Sequence, residues 1–170
     1  MNFDPNLPIS YEYIHYTGRN IDTLDINRAY AQYAEKLAFN TPNGLWLSVA
    51  GIHDWEQYCR KYKNRFDALQ YEFQILLKPH AKILILNNKI ALENFLKEYG
   101  RCKEKYFDIS IRWEKIINNY QGIALPLVFP KLMNMFSWYK TWCCTSACIW
   151  DLQAVKKVER LGEGNGGQGC

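Results

Sequence analysis

The segment Pro42-Asn43-Gly44-Leu45-Trp46-Leu47-Ser48 decides the fold, because a turn and a strand meet in it. Proline and glycine both interrupt regular structure, so Asn40 to Gly44 reads as a turn. Leu45 to Val49 follows as a short buried strand. The period of two puts Leu45, Leu47 and Val49 on one face and Trp46 and Ser48 on the other. A tryptophan beside a hydroxyl can stack on an aromatic ligand and bond its amide. The plainer reading has Trp46 filling a core opposite another ring.

Strands and helices alternate irregularly on either side. Tyr11 to Thr17 is aromatic and β-branched up to Gly18, the pattern of a first strand. Tyr30, Tyr33, Ala34 and Leu37 keep helical spacing. Asp54 with Gln57 three residues on predicts a capped helix to about Lys63, with Trp55, Tyr58, Cys59 and Tyr62 on one face. Tyr71 to Leu77 and Ala81 to Leu86 are expected as strands. Asn87 or Asn88 caps a helix carrying Leu92, Phe95, Leu96 and Tyr99, closed by Gly100. Arg112 to Tyr120 reads as a helix, and Gly122 to Val128 and Thr145 to Trp150 as the last strands. The expectation is a single α+β domain over residues 1–160. Residues 161–170, with five glycines in ten, are expected as a flexible tail.

Composition narrows the function classes. The chain has 170 residues, 48% hydrophobic and 15% aromatic, which suits one folded domain and excludes disorder as the main state. The net charge of +4 is spread along the chain without the basic blocks of strong nucleic-acid binders. Met1 to Ser10 lacks a basic start and an apolar run, so it does not read as a signal peptide. Apolar stretches fall short of the ~20 residues of a bilayer span, and no membrane association is expected. The six cysteines are expected as reduced thiols in a cytosol-like compartment. Cys144 and Cys148 lie four apart, but His15, His53 and His80 are isolated, which leaves a zinc site without its second cluster.

Two further segments carry chemistry-bearing residues. In Ile14-His15-Tyr16-Thr17-Gly18, a strand-end histidine can orient a sugar hydroxyl while the backbone at glycine approaches a flat ligand. The plainer reading is a core histidine bonded to a carbonyl. Between Trp138 and Asp151 lie three of the six tryptophans, three of the six cysteines and Ser146. Alternation along a strand would send Cys143 and Cys144 to opposite faces, so they are not expected to serve one site. A nucleophilic Cys143 or Cys144 with His15 as base would need the two within hydrogen-bond reach. The plainer reading is small thiols packing a tight strand.

The ordered set of His15-Tyr16-Thr17-Gly18, then Asn43 to Ser48 followed by Trp55 and Cys59, then Trp142-x-x-x-Ser146-x-Cys148-Ile149-Trp150 resembles small mono-ADP-ribosyltransferase-like proteins of bacteria and their viruses. These share the NAD-binding fold of ADP-ribosylating toxins and poly-ADP-ribose polymerases. The resemblance touches positions 11–18, 42–59 and 120–151. It implies split β-sheets with flanking helices, and NAD as substrate. It also implies transfer of ADP-ribose to a macromolecular acceptor, protein rather than nucleic acid, with release of nicotinamide. By the same resemblance His15 would bond a ribose hydroxyl, and the Tyr16 backbone would take the nicotinamide carboxamide. Thr17, Trp46, Ser48, Trp142 and Ser146 would line the cofactor site, in a protein acting in the cytoplasm or delivered into a host cell as an effector.

One position departs from that pattern. In these small proteins an aspartate follows the tryptophan of the last motif, where negative charge stabilises an oxocarbenium-like transition state. Here Cys143 follows Trp142. A thiolate at that place needs its pKa, ordinarily about 8.5, pulled down by neighbours. Asp151 and Glu72 are not clean substitutes. His15 and Cys143 are therefore the expected catalytic pair. The alternative is an inactive relative that binds NAD or ADP-ribose, or a protein-interaction module. An RNA 2′-phosphotransferase on the same fold would need Lys61, Lys63 and Arg65 to converge on a phosphate.

Overall fold

Along Leu45–Val49 every residue but the partly exposed Trp46 is buried, as befits a strand in the middle of a sheet. The computed structural model describes residues 11–20, 25, 27, 29–30, 41–51, 53–63, 65–103, 108–133 and 135–163. In chain order the elements are β1 (Tyr13–Thr17), β2 (Leu45–Val49), α1 (Trp55–Tyr62), β3 (Tyr71–Leu77), β4 (Ile83–Ile85) and α2 (Lys89–Tyr99). They continue with β5 (Gly100–Lys103), β6 (Asp108–Ile111), α3 (Trp113–Ile116), β7 (Gly122–Leu125), α4 (Pro130–Met133), β8 (Ser146–Ile149) and β9 (Val155–Glu163). Seven strands form one mixed sheet in the order β4-β7-β8-β2-β1-β3-β9, and β5 and β6 make a separate hairpin. Among the described strands only β4 and β7 run parallel, which requires the long crossover through α2, the hairpin and α3. The result is a single α+β domain.

Strand alternation divides the core between the two faces of the sheet. Trp46, Ile123, Leu125 and Cys148 turn to one face, against Phe95, Trp113, Trp138 and Trp142. Leu45, Leu47, Val49, Ala124, Ala147 and Ile149 turn to the other, with Phe73, Ile75 and Val155. With both faces covered, every residue of β7 and β8 is buried. No helix among the described residues is long and apolar enough to cross a membrane.

Several expectations are corrected. The expected split sheets form instead one continuous sheet with a weak seam. β1 and β2 share only the pairs Tyr13↔Val49 and Ile14↔Ser48, whereas β1–β3 and β2–β8 share four each. The helix expected over 112–120 shortens to Trp113–Ile116, and the strand from Gly122 stops before Pro126, which has no N–H for the ladder. At Ala29 and Tyr30 the chain bridges Asp151 and donates to Trp150 O at 2.7 Å, while Tyr33, Ala34 and Leu37 lie outside the described residues. β9 has no counterpart among the expected strands and runs as far as Glu163. The rest of the glycine-rich stretch lies outside the described residues.

Candidate functional site

Where β1 and β2 cease to pair, the strands leave a cavity of about 440 Å³, within the ~300–1,000 Å³ range of small-molecule sites. His15 and Tyr16 line it from β1, Trp46, Leu47 and Ser48 from β2, and Cys143, Cys144 and Ser146 from the approach to β8. Trp55, Arg65 and the pair Thr41 and Thr141 close its sides. Six of the sequence-predicted residues thus meet: His15, Tyr16, Trp46, Ser48, Cys143 and Ser146. Two do not. Thr17 Oγ1 accepts the Arg19 N–H at 3.2 Å in an exposed turn. Trp142 is fully buried behind the wall, its ring centroid 4.6 Å from that of Trp46. Gly18 also serves packing, since a Cβ there would stand 2.7 Å from Asp67 O.

The seam is bridged by His15, whose Nδ1 lies 2.9 Å from Trp46 O. A carbonyl can only accept, so Nδ1 carries the proton and Nε2 keeps a free lone pair. Burial holds the imidazole below its ordinary pKa, against the opposing effect of the Trp46 bond. Neutral His15 is therefore an acceptor suited to a hydroxyl. Tyr16 O–H donates to Glu72 Oε1 at 3.4 Å, and burial with the neighbouring Glu56 charge raises the Glu72 carboxyl above its usual range.

Ser48 has a structural duty as well. Its Oγ accepts the Trp55 N–H at 2.9 Å, tying the first residue of α1 to β2, and it still has its own hydrogen to give. Asp54 Oδ1 takes the Gln57 N–H at 2.9 Å, so the predicted N-cap forms, while Gln57 Oε1 reaches back to His53 N. Anchored in this way, α1 presents Trp55 stacked on Tyr58 with centroids 5.6 Å apart, and Tyr58 against Tyr62 at 4.7 Å.

Cys143 and Cys144 lie before β8, so strand alternation does not govern them, and both face the one cavity. Bonds around the bend set their positions. Thr145 N donates to His53 O at 2.8 Å, Thr145 Oγ1 to Val49 O at 2.8 Å, and Ser146 Oγ to Cys144 O at 2.7 Å. Cys144 and Tyr58 are the hydrogen-bonding neighbours that act on the Cys143 thiol, and Cys144 Sγ also lies 3.8 Å from Ser146 Oγ. The Cys144 bond is the largest influence, burial opposes it, and Tyr58 and the Arg65 charge add to it, lowering the Cys143 pKa to about 7. The same bond, with burial, raises the Cys144 thiol. His15 Nδ1 faces Trp46 O, while the residue lines the same cavity as Cys143. The Cys143 proton is governed by donors from α1 and from the next residue.

Cys148 belongs elsewhere, sealed in the core with Sγ donating to Pro42 O at 3.7 Å. Asp151 is occupied by Gln121 Nε2 at 2.8 Å and Gln153 N at 3.0 Å. Cys143 also lines a second cavity, of about 630 Å³, between α1 and residues 128–133. Lys61 faces that second cavity and Arg65 the first, so these cations do not converge on a common phosphate site. Sequence reasoning missed Tyr58 as a site residue, and it raised Cys144 and Arg65 only as an alternative nucleophile and a candidate phosphate ligand. Tyr58 was visible only as part of a helix face. Among the described residues no group of three or more His, Cys, Asp or Glu is placed to hold a metal ion. Comparison with protein-family models, curated proteins and solved structures finds no match.

Proposed function

We propose that the cavity at the β1–β2 seam binds NAD by its nicotinamide riboside end, and that the protein transfers ADP-ribose to an acceptor with release of nicotinamide. One observation carries the reading. His15–Tyr16, Trp46–Ser48 and Cys143–Ser146 resemble the three motifs of ADP-ribosyltransferase-like proteins, and these distant segments line one cavity. In this reading His15 Nε2 accepts a ribose hydroxyl, Trp46 offers an aromatic surface to nicotinamide, and a Cys143 thiolate supplies negative charge beside the developing cation. The acceptor is proposed to be a protein, since the sequence holds none of the basic blocks of strong nucleic-acid binders. Incubation with labelled NAD and mixed protein acceptors tests the assignment. Label transfer with stoichiometric nicotinamide is expected, and neither product across several acceptors would overturn it.

A second reading is favoured by a specific absence: no Asp or Glu is among the described residues lining the cavity. On that reading the protein holds NAD or ADP-ribose without turnover. Calorimetry separates the two, because tight NAD binding with no nicotinamide release belongs to the second alone.

A further inference from the structure

We propose that Cys143 itself takes the ADP-ribosyl group, its sulfur displacing nicotinamide from the ribose C1′ of NAD. This deepens the transferase reading and rests on it. Cys143 is half-buried rather than sealed, and it lines both cavities, so its sulfur can be approached from two sides. The groups that favour the ionised sulfur are donors or a cation, namely Cys144, Tyr58, the Cys143 backbone and the Arg65 guanidinium, and together they outweigh burial. Such a surrounding favours thiolate over thiol, and the thiolate is the nucleophilic form of cysteine. A carboxylate at this place would chiefly stabilise a cationic transition state by charge. A thiolate is in addition a strong nucleophile toward carbon, and the described lining holds no competing carboxylate.

The step balances without a further reagent. The C1′–N bond to nicotinamide breaks with its electron pair passing to the nicotinamide nitrogen, and a sulfur lone pair forms the S–C1′ bond. The thiolate and the pyridinium cancel each other's charge, so no proton, oxidant or reductant is consumed. One nicotinamide leaves for each chain modified. Cys144 acts as a positioning residue, through its interaction with the attacking sulfur.

The test follows adduct and nicotinamide together. The full chain is mixed with NAD and acid-quenched from the first turnover onward. Intact mass, peptide mapping and released nicotinamide are measured on the same samples. The expected result is one ADP-ribosyl group per chain on the peptide containing Cys143, equal in amount to the first nicotinamide released. Mercuric ion should remove it and neutral hydroxylamine should not, as befits a thioglycoside. Cys143→Ser should slow adduct formation at least ~100-fold, because a serine hydroxyl is un-ionised at neutral pH. Cys102→Ser, on exposed β5, should form it like the parent. Cys144→Ala should move the pH midpoint of adduct formation upward while the adduct stays on Cys143. Prior alkylation of Cys143 in the folded parent should abolish it, which keeps the test independent of how the variants fold. An adduct persisting on Cys143→Ser would overturn the proposal. Nicotinamide release without adduct in any quenched sample would overturn it too, while leaving the transferase reading standing. No nicotinamide release at all would remove both.

Discussion

At Cys143 hydrogen-bond donors outweigh burial, which by itself would favour the neutral thiol. Alkylation of this residue by iodoacetamide should therefore rise to half its limiting rate near pH 7 and level off above it. Tyr58→Phe deletes one donor and should shift that midpoint upward; an unchanged pH–rate curve would show that Tyr58 does not hold the thiolate. His15 gives a dependence of opposite chemical origin. Its folded pKa lies below the ordinary 6.5, so the unfolded chain takes up a proton that the folded chain refuses. Stability should be complete above that pH and decline as pH falls below it. His15→Asn keeps a donor for Trp46 O without a titrating ring. Thermal denaturation across this range should show a shallower acid slope for the variant. Of the residue-scale chemistry, the short histidine segment and the Trp142–Cys143 break were visible in sequence. The roles of Tyr58 and Arg65 at this thiol were not, because they reach it through folding.

Among the elements, α1 was the most legible, since a cap and an amphipathic face are local properties. Its placement on the sheet depends on Ser48, a residue that the motif resemblance assigns to ligand binding. Asp54→Ala and Ser48→Ala should each lower stability by about 1 kcal/mol, read from the urea midpoint. Additive losses would show that the two N–H acceptors act independently. Gly44 was read as part of a turn, but its need for hydrogen is steric. A Cβ would meet Ile149 O at 2.6 Å and Cys148 Sγ at 2.7 Å, because β2 begins hard against β8. Gly44→Ala should cost about 1–3 kcal/mol by overpacking. β9 escaped sequence reading because its residues Val155 to Leu161 include two lysines, a glutamate and an arginine, which break the apolar alternation. Those charges suit the strand, which lies at the sheet edge where charged side chains discourage further pairing.

At the scale of the molecule, the aromatic surplus is concentrated in one of two cores. Trp138 is fully buried among Phe95, Trp113 and Tyr139, with centroids 5.5, 6.5 and 5.3 Å away. Trp138→Ala should cost about 3–5 kcal/mol, a large part of the ~5–15 kcal/mol that holds a domain together. Denaturant unfolding measures it, and a loss below ~1 kcal/mol would show that this cluster is not the anchor of its face. Trp142 belongs to the same core while backing Trp46, so the cavity wall inherits the rigidity of the packed interior.

By itself the sequence determined what depends on near neighbours: the places of strands β1, β2 and β3, the caps of α1 and α2, and the α+β class. Periodicity and capping act over a few residues and are written in the order of side chains. Only the tertiary structure decided the rest. The parted β1–β2 seam, the Thr41 and Thr141 hydroxyls 3.0 Å apart across 100 residues, and the meeting of α1 with the Cys143 bend all arise from how strands pair and helices dock. Such contacts are selected by burial and by hydrogen-bond satisfaction across the whole domain, and no local spacing encodes them.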